Sequence, residues 1–202
     1  MADERIVTYT KISFVIFFAF CQSTCAFAQQ DLYHKLSAEA INLTKVNVRY
    51  DPAYFKIEYP GGDIPPDKGV CTDVVIRAFR KLGIDLQQAV HEDMKKNFDK
   101  YPKNWGLSKP DTNIDHRRVP NLMKFFSRHG ASLETEDLGS IYKPGDIVTW
   151  MLDNSLFHIG IVIDKKSADG ERPLIVHNIG NGQEISDCLF KYKIIGHYRY
   201  PL

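Results

Sequence analysis

The sequence has little excess charge of either sign. Its 202 residues include 26 Lys and Arg and 25 Asp and Glu, which leaves a formal net charge of +1. A charge this small argues against a partner that is bound by bulk electrostatics, such as nucleic acid or an anionic membrane surface. The partner must therefore be inferred from a particular site, and 44% apolar residues are enough to bury the core of one domain around it.

The sequence also lacks an apolar run long enough to span a bilayer. A transmembrane helix needs about 20 apolar residues, whereas the apolar run here extends only from Ile12 to Phe20. The small-x-small pattern of Ala26-Phe27-Ala28 follows it, as in a signal peptidase site. We expect residues 1–28 to be a cleaved signal peptide, cut near Ala28. Residues 29–202 would form a single periplasmic or secreted domain without stable membrane insertion; an uncleaved anchor is the weaker alternative.

Cysteine is scarce. Cys21 and Cys25 would leave with the signal peptide, and their flanking residues do not favour a lipid anchor on either. Cys71 and Cys188 remain, and in an oxidising compartment a structural disulfide between them is the main alternative to a reactive Cys71. No C-x-x-C or H-x-x-x-H pair is present, so we expect no metal and no other cofactor.

Helices come first along the chain and strands come after. Apolar residues recur at helical spacing over four segments, and Pro144-Gly145-Asp146 then opens a region of strand-like alternation. This order predicts an α+β domain in which an antiparallel sheet packs on the helix that begins at Cys71. The predicted helices run from Asp31 to Lys45, Cys71 to Gly83, Leu86 to just before Pro102 and Val119 to Gly130; the predicted strands run from Ile147 to Met151, Phe157 to Ile163, Pro173 to Ile179 and Phe190 to Tyr200.

Cys71 is predicted to be the first residue of an amphipathic helix and to point toward the core. Its spacing to Val75, Ala78 and Leu82 places all four residues on one helix face. Unpaired N–H groups and the helix dipole at this position favour a thiolate, which is a nucleophile. The alternative is a buried cysteine that packs as a small hydrophobe.

Two histidines lie inside apolar strand segments, His158 before Ile159 and His177 after Val176. A cysteine nucleophile needs a base, and the base needs an orienting partner; His158 and His177 would fill these roles for Cys71. Asn178 is the other candidate for the third role, but adjacent strand residues face opposite ways, so only one can be correct. Zinc binding is an alternative use of the same side chains. The remaining histidines are predicted to lie on the surface: His34, His91, His116, His129 and His197.

Residues 101–118 form a polar stretch that is predicted to be a long surface loop. Its charged cluster of Asp115, His116, Arg117 and Arg118 could clamp a substrate, together with Trp105, since an arginine fork matches a carboxylate or phosphate. The alternative is a solvated or internally paired loop. Near the nucleophile, Asp73 could support the helix N-terminus or contact substrate, but its charge would oppose a thiolate at Cys71.

The motifs around these residues resemble those of known proteins. Gly-Val-Cys-Thr-Asp-Val-Val, Lys-Pro-Gly-Asp-Ile-Val-Thr-Trp, His-Ile-Gly-Ile-Val and Ile-Val-His-Asn, in this order, resemble the NlpC-type branch of the papain-like cysteine peptidases. Tyr-Pro-Gly-Gly-Asp-Ile-Pro, Val-His-Glu-Asp-Met and Asn-Ile-Asp-His-Arg-Arg-Val-Pro-Asn-Leu further resemble the bacterial family DUF1287. The resemblance implies a papain-like fold with Cys71 as nucleophile, His158 as base and His177 as orienting residue.

The same resemblance implies an exported cysteine hydrolase that cleaves an amide bond, best matched by a peptidoglycan peptide, through a thioester. The chain departs from peptidoglycan-cutting relatives at Val70, where they usually carry an aspartate. Two alternatives remain open. One is a non-enzymatic protein with a Cys71–Cys188 disulfide that binds a glycan or peptide, and the other is a hydrolase or transferase of lipid acyl esters.

Overall fold

The computed structural model describes residues 29–153 and 155–201. The predicted signal peptide, with Cys21 and Cys25, lies outside the described residues. None of the described helices is both long and apolar enough to cross a membrane. The helices of the described part are α1 (described over residues 29–43), α2 (Cys71–Lys81), α3 (Leu86–Asn97) and α4 (Val119–His129), all in predicted positions.

The strands form two sheets. The first is a short parallel pair of β1 (Arg49–Tyr50) and β2 (Lys68–Gly69), of which β2 immediately precedes α2. The main sheet has the strand order β3-β8-β4-β5-β6-β7, and all of its neighbouring strands are antiparallel. The predicted α+β layout with an antiparallel sheet is thus confirmed. The strands of the main sheet are β3 (Ala131–Ser132), β4 (Ile147–Leu152), β5 (Leu156–Lys166), β6 (Pro173–His177), β7 (Glu184–Ser186) and β8 (Lys193–Arg199).

The two faces of the main sheet cover separate apolar clusters. Ile159 and Ile161 of β5 pack with α2, α3 and α4 in the first cluster, which also contains Cys71. Val162 belongs to the second cluster with Trp150 and Cys188. Because successive strand residues point to opposite faces, this division follows directly from the alternation along β5. The prediction that the sheet packs on the Cys71 helix is confirmed.

Both ends of α2 have local causes. At its start, the Asp73 carboxylate accepts a hydrogen bond of 2.7 Å from the Val70 N–H, which satisfies a donor that the helix leaves free. At its end, Gly83 adopts a left-handed conformation with φ of 81°, as its sequence position predicts. Arg80 and Lys81 in the last turn complement the negative end of the helix dipole. The sequence therefore fixes the position of Cys71 at the first turn.

The prediction of a surface loop over residues 101–118 is wrong for its last part. The short helical turn Asp115–Arg117 is buried, because its charges pair with groups inside the protein. His116 and His197, both predicted to lie on the surface, are 3% and 1% exposed. His197 lies on β8, where its ring nitrogens contact Asp146 Oδ2 and Glu134 O, each at 2.8 Å. These partners satisfy the polar ring inside the protein, so no exposure is needed.

Candidate active site

A groove of about 460 Å³ lies at the N-terminus of α2. Cys71 lines this groove and is 6% exposed. Tyr50, Trp105 and Arg118 also line it, together with Phe157 from the start of β5. The fold therefore gathers residues from three separate parts of the sequence around the one cysteine that was predicted to be a nucleophile.

Cys71 is a neutral thiol in this arrangement. Burial raises the pKa of Cys71 to about 12, and the nearby Asp73 carboxylate adds to the rise. The backbone N–H groups of Ile159, Thr72 and Cys71 itself lower the pKa, but they do not outweigh burial. The expectation that the helix N-terminus would favour a thiolate is therefore wrong for the resting site, because desolvation is the larger effect.

His158 and His177 form a buried hydrogen-bonded pair. Nε2 of His158 lies 3.0 Å from Nδ1 of His177, and the rings meet nearly at right angles. Burial and the neighbouring His177 lower the pKa of His158 to about 3. Burial likewise lowers the pKa of His177, although Glu184 opposes the change. Both imidazoles are therefore neutral at physiological pH, and one donates a hydrogen bond to the other.

The sulfur of Cys71 meets β5 at the N–H of Ile159, which belongs to the peptide group that joins Ile159 to His158. The His158 ring itself lies 5.8 Å from the Trp150 ring. Among the residues that the structure describes, Cys71 and His158 share no hydrogen bond. The structure thus brings the sulfur to the peptide next to His158 without joining the two side chains directly.

Asn178 occupies a different position from His177. Its Nδ2 donates to the carbonyl of Gly69 at 3.3 Å, and its Oδ1 accepts from the N–H of Gly180. Asn178 therefore holds the segment that precedes Cys71. Of the two candidates for the third role, His177 is the one that contacts His158.

Asp73 and Arg117 are engaged with each other, although Arg117 also lines the groove. Arg117 Nε lies 2.9 Å from Asp73 Oδ1, and the two side chains are 2% and 3% exposed. Arg117 Nη1 also donates to the carbonyl of Ala53 at 3.0 Å. These contacts favour the internally paired alternative over a substrate role for Asp73 and Arg117.

Asp115 and His116 are also buried. Asp115 accepts a hydrogen bond from the Asp111 N–H and pairs with Arg118 Nη1 at 3.2 Å. Burial and the positive charges of Arg117 and Arg80 lower the pKa of His116 to about 3. Neither Asp115 nor His116 lines the groove beside Cys71.

Trp105 and Arg118 do line the groove. The Arg118 guanidinium lies over the Trp105 ring, 4.1 Å from its centroid, and Trp105 is 39% exposed. A flat aromatic ring beside a guanidinium can contact a sugar or a peptide and bind a carboxylate. Of the six residues predicted to bind substrate, three line the groove, and Trp105 and Arg118 are the two whose side chains are not committed to the buried Arg117–Asp73 pair.

Cys71 and Cys188 are both free and buried. Cys71 belongs to the apolar cluster on the α2 face, and Cys188 belongs to the cluster on the opposite face. The predicted alternative of a Cys71–Cys188 disulfide is therefore wrong, because the sheet separates the two thiols. Burial raises the pKa of Cys188 to about 11.

Comparison with known proteins places the chain in a family. The family model described as Domain of unknown function (DUF1287) matches residues 37–200. The chain belongs to the DUF1287 family. The Escherichia coli (strain K12) protein named Uncharacterized protein YijF is 57% identical to it over 151 residues, which are 75% of this chain and 73% of YijF.

The groove and the histidine pair are both parts of this DUF1287 domain, since the residues from Tyr50 to His177 fall inside the match. Within residues 29–153 and 155–201 of the domain, no three His, Cys, Asp or Glu side chains are placed to hold a metal ion. The sequence interpretation missed one polar neighbour of the site, Glu184 on β7. A strand of three residues is too short to give an alternating pattern that could have revealed it.

Proposed function

We propose that this DUF1287 protein is an exported cysteine hydrolase of the papain-like NlpC type, which cleaves an amide bond in a cell-wall peptide. The motifs that surround Cys71, His158 and His177 support this assignment. A cleaved signal peptide would deliver the protein to the compartment that contains peptidoglycan, which supports the substrate by association only. The contacts of Cys71, His158 and His177 support the activity itself.

One observation carries the proposal. The hydrogen bond of 3.0 Å between His158 and His177 lies beside the peptide group that contacts the sulfur of Cys71. A buried pair of imidazoles next to a buried thiol supplies a nucleophile, a base and an orienting group in one place. His158 uses Nε2 for the contact with His177, which leaves Nδ1 as the nitrogen that can accept a proton.

The neutral thiol and neutral imidazole favour general-base catalysis over a resting ion pair. The Cys71 side chain would turn from the Ile159 N–H toward His158 Nδ1 when substrate binds, a tightening that is common between free and occupied sites. The thiol proton would pass to His158 as the sulfur attacks the carbonyl carbon. His158 would then protonate the leaving amine, and a water molecule activated by His158 would hydrolyse the thioester.

Two donors near Cys71 can stabilise the oxyanion. The first is the backbone N–H of Cys71, which lies at the free N-terminus of α2. The second is the Tyr50 hydroxyl, which belongs to a residue that lines the groove. Burial and the neighbouring Asp73 carboxylate raise the pKa of Tyr50, so this hydroxyl stays protonated and can donate.

The decisive experiment is digestion of purified peptidoglycan, followed by identification of the products by mass. The parent protein should release peptide fragments, Cys71→Ala should release none, and Cys188→Ala should match the parent because its thiol lies behind the sheet. Fragments released by Cys71→Ala at the rate of the parent would overturn the mechanism. Circular dichroism of each variant would establish that the fold is retained.

A second candidate function is binding without cleavage. The exposed Trp105 in the groove and the absence of a Cys71–His158 hydrogen bond within the described residues favour it. In the same digestion, a binding protein would sediment with peptidoglycan and release nothing.

The apolar groove residues Val119, Leu156 and Phe157 are compatible with a lipid acyl ester, so a long-chain ester should be assayed in parallel.

A further inference from the structure

One ring nitrogen in the histidine pair has no partner in the described structure. His177 Nε2 is fully buried and makes no hydrogen bond within residues 29–153 and 155–201. A buried donor or acceptor in this state is costly, so a charged group beside it is of interest. The carboxylate of Glu184 is such a group, and its Oε1 lies 3.8 Å from His177 Nε2.

The sheet places Glu184 beside His177. The two residues are directly opposite each other in the antiparallel ladder of β6 and β7. Side chains in directly opposite positions share one face of the sheet and lie close together. Glu184 is 41% exposed, so it stands between the buried His177 ring and solvent. The proximity is therefore built into the strand register.

The position of one proton on His177 determines the positions of the others. A carboxylate at Nε2 favours the form of His177 that carries its proton there, since a carboxylate can only accept. His177 Nδ1 is then a lone pair, and the contact of 3.0 Å requires His158 to donate from Nε2. A neutral His158 with its proton on Nε2 has an unprotonated Nδ1. That nitrogen is the one required to accept the thiol proton.

We propose that Glu184 is a positioning residue that sets the tautomers of His177 and His158 and so leaves His158 Nδ1 free to act as the base. This inference rests on the proposed hydrolase function for its catalytic meaning. The chain of groups runs from Cys71 through His158 and His177 to Glu184. It adds a fourth group, which touches neither substrate nor reacting atoms, to the three that the sequence suggests.

The proton balance of the step is simple. The S–H bond of Cys71 breaks, and the proton forms an N–H bond at His158 Nδ1. The sulfur electron pair forms the C–S bond while the C=O π pair moves onto the carbonyl oxygen, which becomes the oxyanion. His158 then carries a positive charge, which the Glu184 carboxylate attracts through His177. Lys191 faces His177 and acts in the opposite direction. When the intermediate collapses, the same proton leaves on the amine, so Glu184 itself gains and loses none.

The first measurement determines which ring nitrogens of His177 and His158 carry protons. Long-range ¹H–¹⁵N correlation spectra of the purified protein at pH 7 should report His177 protonated on Nε2 and His158 protonated on Nε2. In Glu184→Ala, both histidines should become mixtures of tautomers. Glu184→Gln keeps an oxygen acceptor and should retain the parent tautomers, as should Glu171→Ala, which removes an exposed glutamate elsewhere. Parent tautomers in Glu184→Ala would overturn the proposal.

Activity provides the second measurement. Both Glu184→Ala and Glu184→Gln remove the negative charge that stabilises protonated His158 through His177. The loss of this attraction at a partly exposed site should lower kcat/KM roughly tenfold in each variant. Glu171→Ala should match the parent, and thermal unfolding should identify any variant that has lost its fold. If Glu184→Ala shows altered tautomers but the parent protein has no hydrolase activity, only the proposed function is refuted. If the parent protein is active but Glu184→Ala keeps the parent tautomers, only the role of Glu184 is refuted.

Discussion

Arg117 and Asp73 form a two-point ion pair inside the protein, with Nε 2.9 Å from Oδ1 and Nη2 3.1 Å from Oδ2. The pair joins the turn Asp115–Arg117 to the first turn of the helix that carries Cys71. Asp73 also accepts the Val70 N–H, so one carboxylate both caps the helix and anchors the neighbouring turn. The arginine compensates the charge that would otherwise lie buried two residues from Cys71, the proposed nucleophile.

Removing Arg117 should therefore destabilise the protein strongly. Arg117→Ala leaves Asp73 buried without its ionic partner, and we expect a loss of about 3–5 kcal/mol in the free energy of unfolding. Urea unfolding followed by circular dichroism measures the change. Arg172→Ala removes the solvent-accessible ion pairs with Asp169 and Asp187 and should cost about 1 kcal/mol or less. Equal losses in the two variants would contradict the structural role of Arg117.

The raised pKa of Cys71 predicts slow alkylation at neutral pH. In Cys188→Ala, the rate of reaction with iodoacetamide should rise about tenfold per pH unit from pH 7 to pH 10, since only the thiolate reacts. With a pKa of about 12, the thiolate fraction is still rising at pH 10. An unperturbed thiol, with a pKa of about 8.5, would level off within this range. Levelling below pH 9 would show that the resting thiol is more acidic than its burial implies.

The lowered pKa of Asp93 predicts that the stability of the protein depends on pH. Burial opposes its charge, but hydrogen bonds from Arg128, Tyr101 and His129 lower the pKa of Asp93 below its usual value. A lowered pKa contributes stability above the unfolded-state pKa of about 3.9, and this contribution is lost as the pH falls toward the folded-state pKa. Asp93→Asn should cost about 1.5–3 kcal/mol at pH 7 and less near pH 3.

The control for Asp93 is Asp99→Asn, which alters an exposed carboxylate paired with Lys100. Urea unfolding of both variants at pH 7 and pH 3 makes the comparison, provided that the parent protein is folded at both values. A cost for Asp93→Asn that stays constant with pH would rule out the ionic contribution.

The different contacts of His177 and Asn178 predict different kinetic effects. His177→Ala removes the partner of His158 and should lower kcat by about 100-fold or more, the usual scale for a group that supports acid–base catalysis. Asn178→Ala loses the bond to Gly69 and should lower thermal stability more than kcat. Rates at saturating substrate and melting temperatures separate the two effects. The reverse pattern would make Asn178 the orienting residue.

Local sequence patterns were sufficient to predict the elements that carry the site. The start of α2 at Cys71 follows from apolar spacing and from the Gly83 stop, and the strands of His158 and His177 follow from apolar runs bounded by turn residues. Each of these signals lies within about a dozen residues of the feature it predicts. The α+β layout follows from their order.

The protonation of Cys71 and the role of Arg117 could not be predicted in the same way. The pKa of Cys71 depends on burial by β5, which lies about 90 residues away along the chain, and that effect outweighs the local helix dipole. Arg117 finds Asp73 across 44 residues, and a charged cluster looks the same in sequence whether it is solvated or paired. Both the protonation of Cys71 and the pairing of Arg117 therefore depend on tertiary contacts.

If the chain is exported as proposed, the separation of the two thiols by the main sheet also constrains how it must mature. An unfolded chain entering an oxidising compartment exposes Cys71 and Cys188 to each other, yet the native sheet holds them in clusters on opposite faces. A chain that formed this crosslink early would be trapped outside the native state until the bond was reduced. Formation of the sheet would then protect Cys71 from this crosslink, because folding places Cys71 and Cys188 in separate clusters.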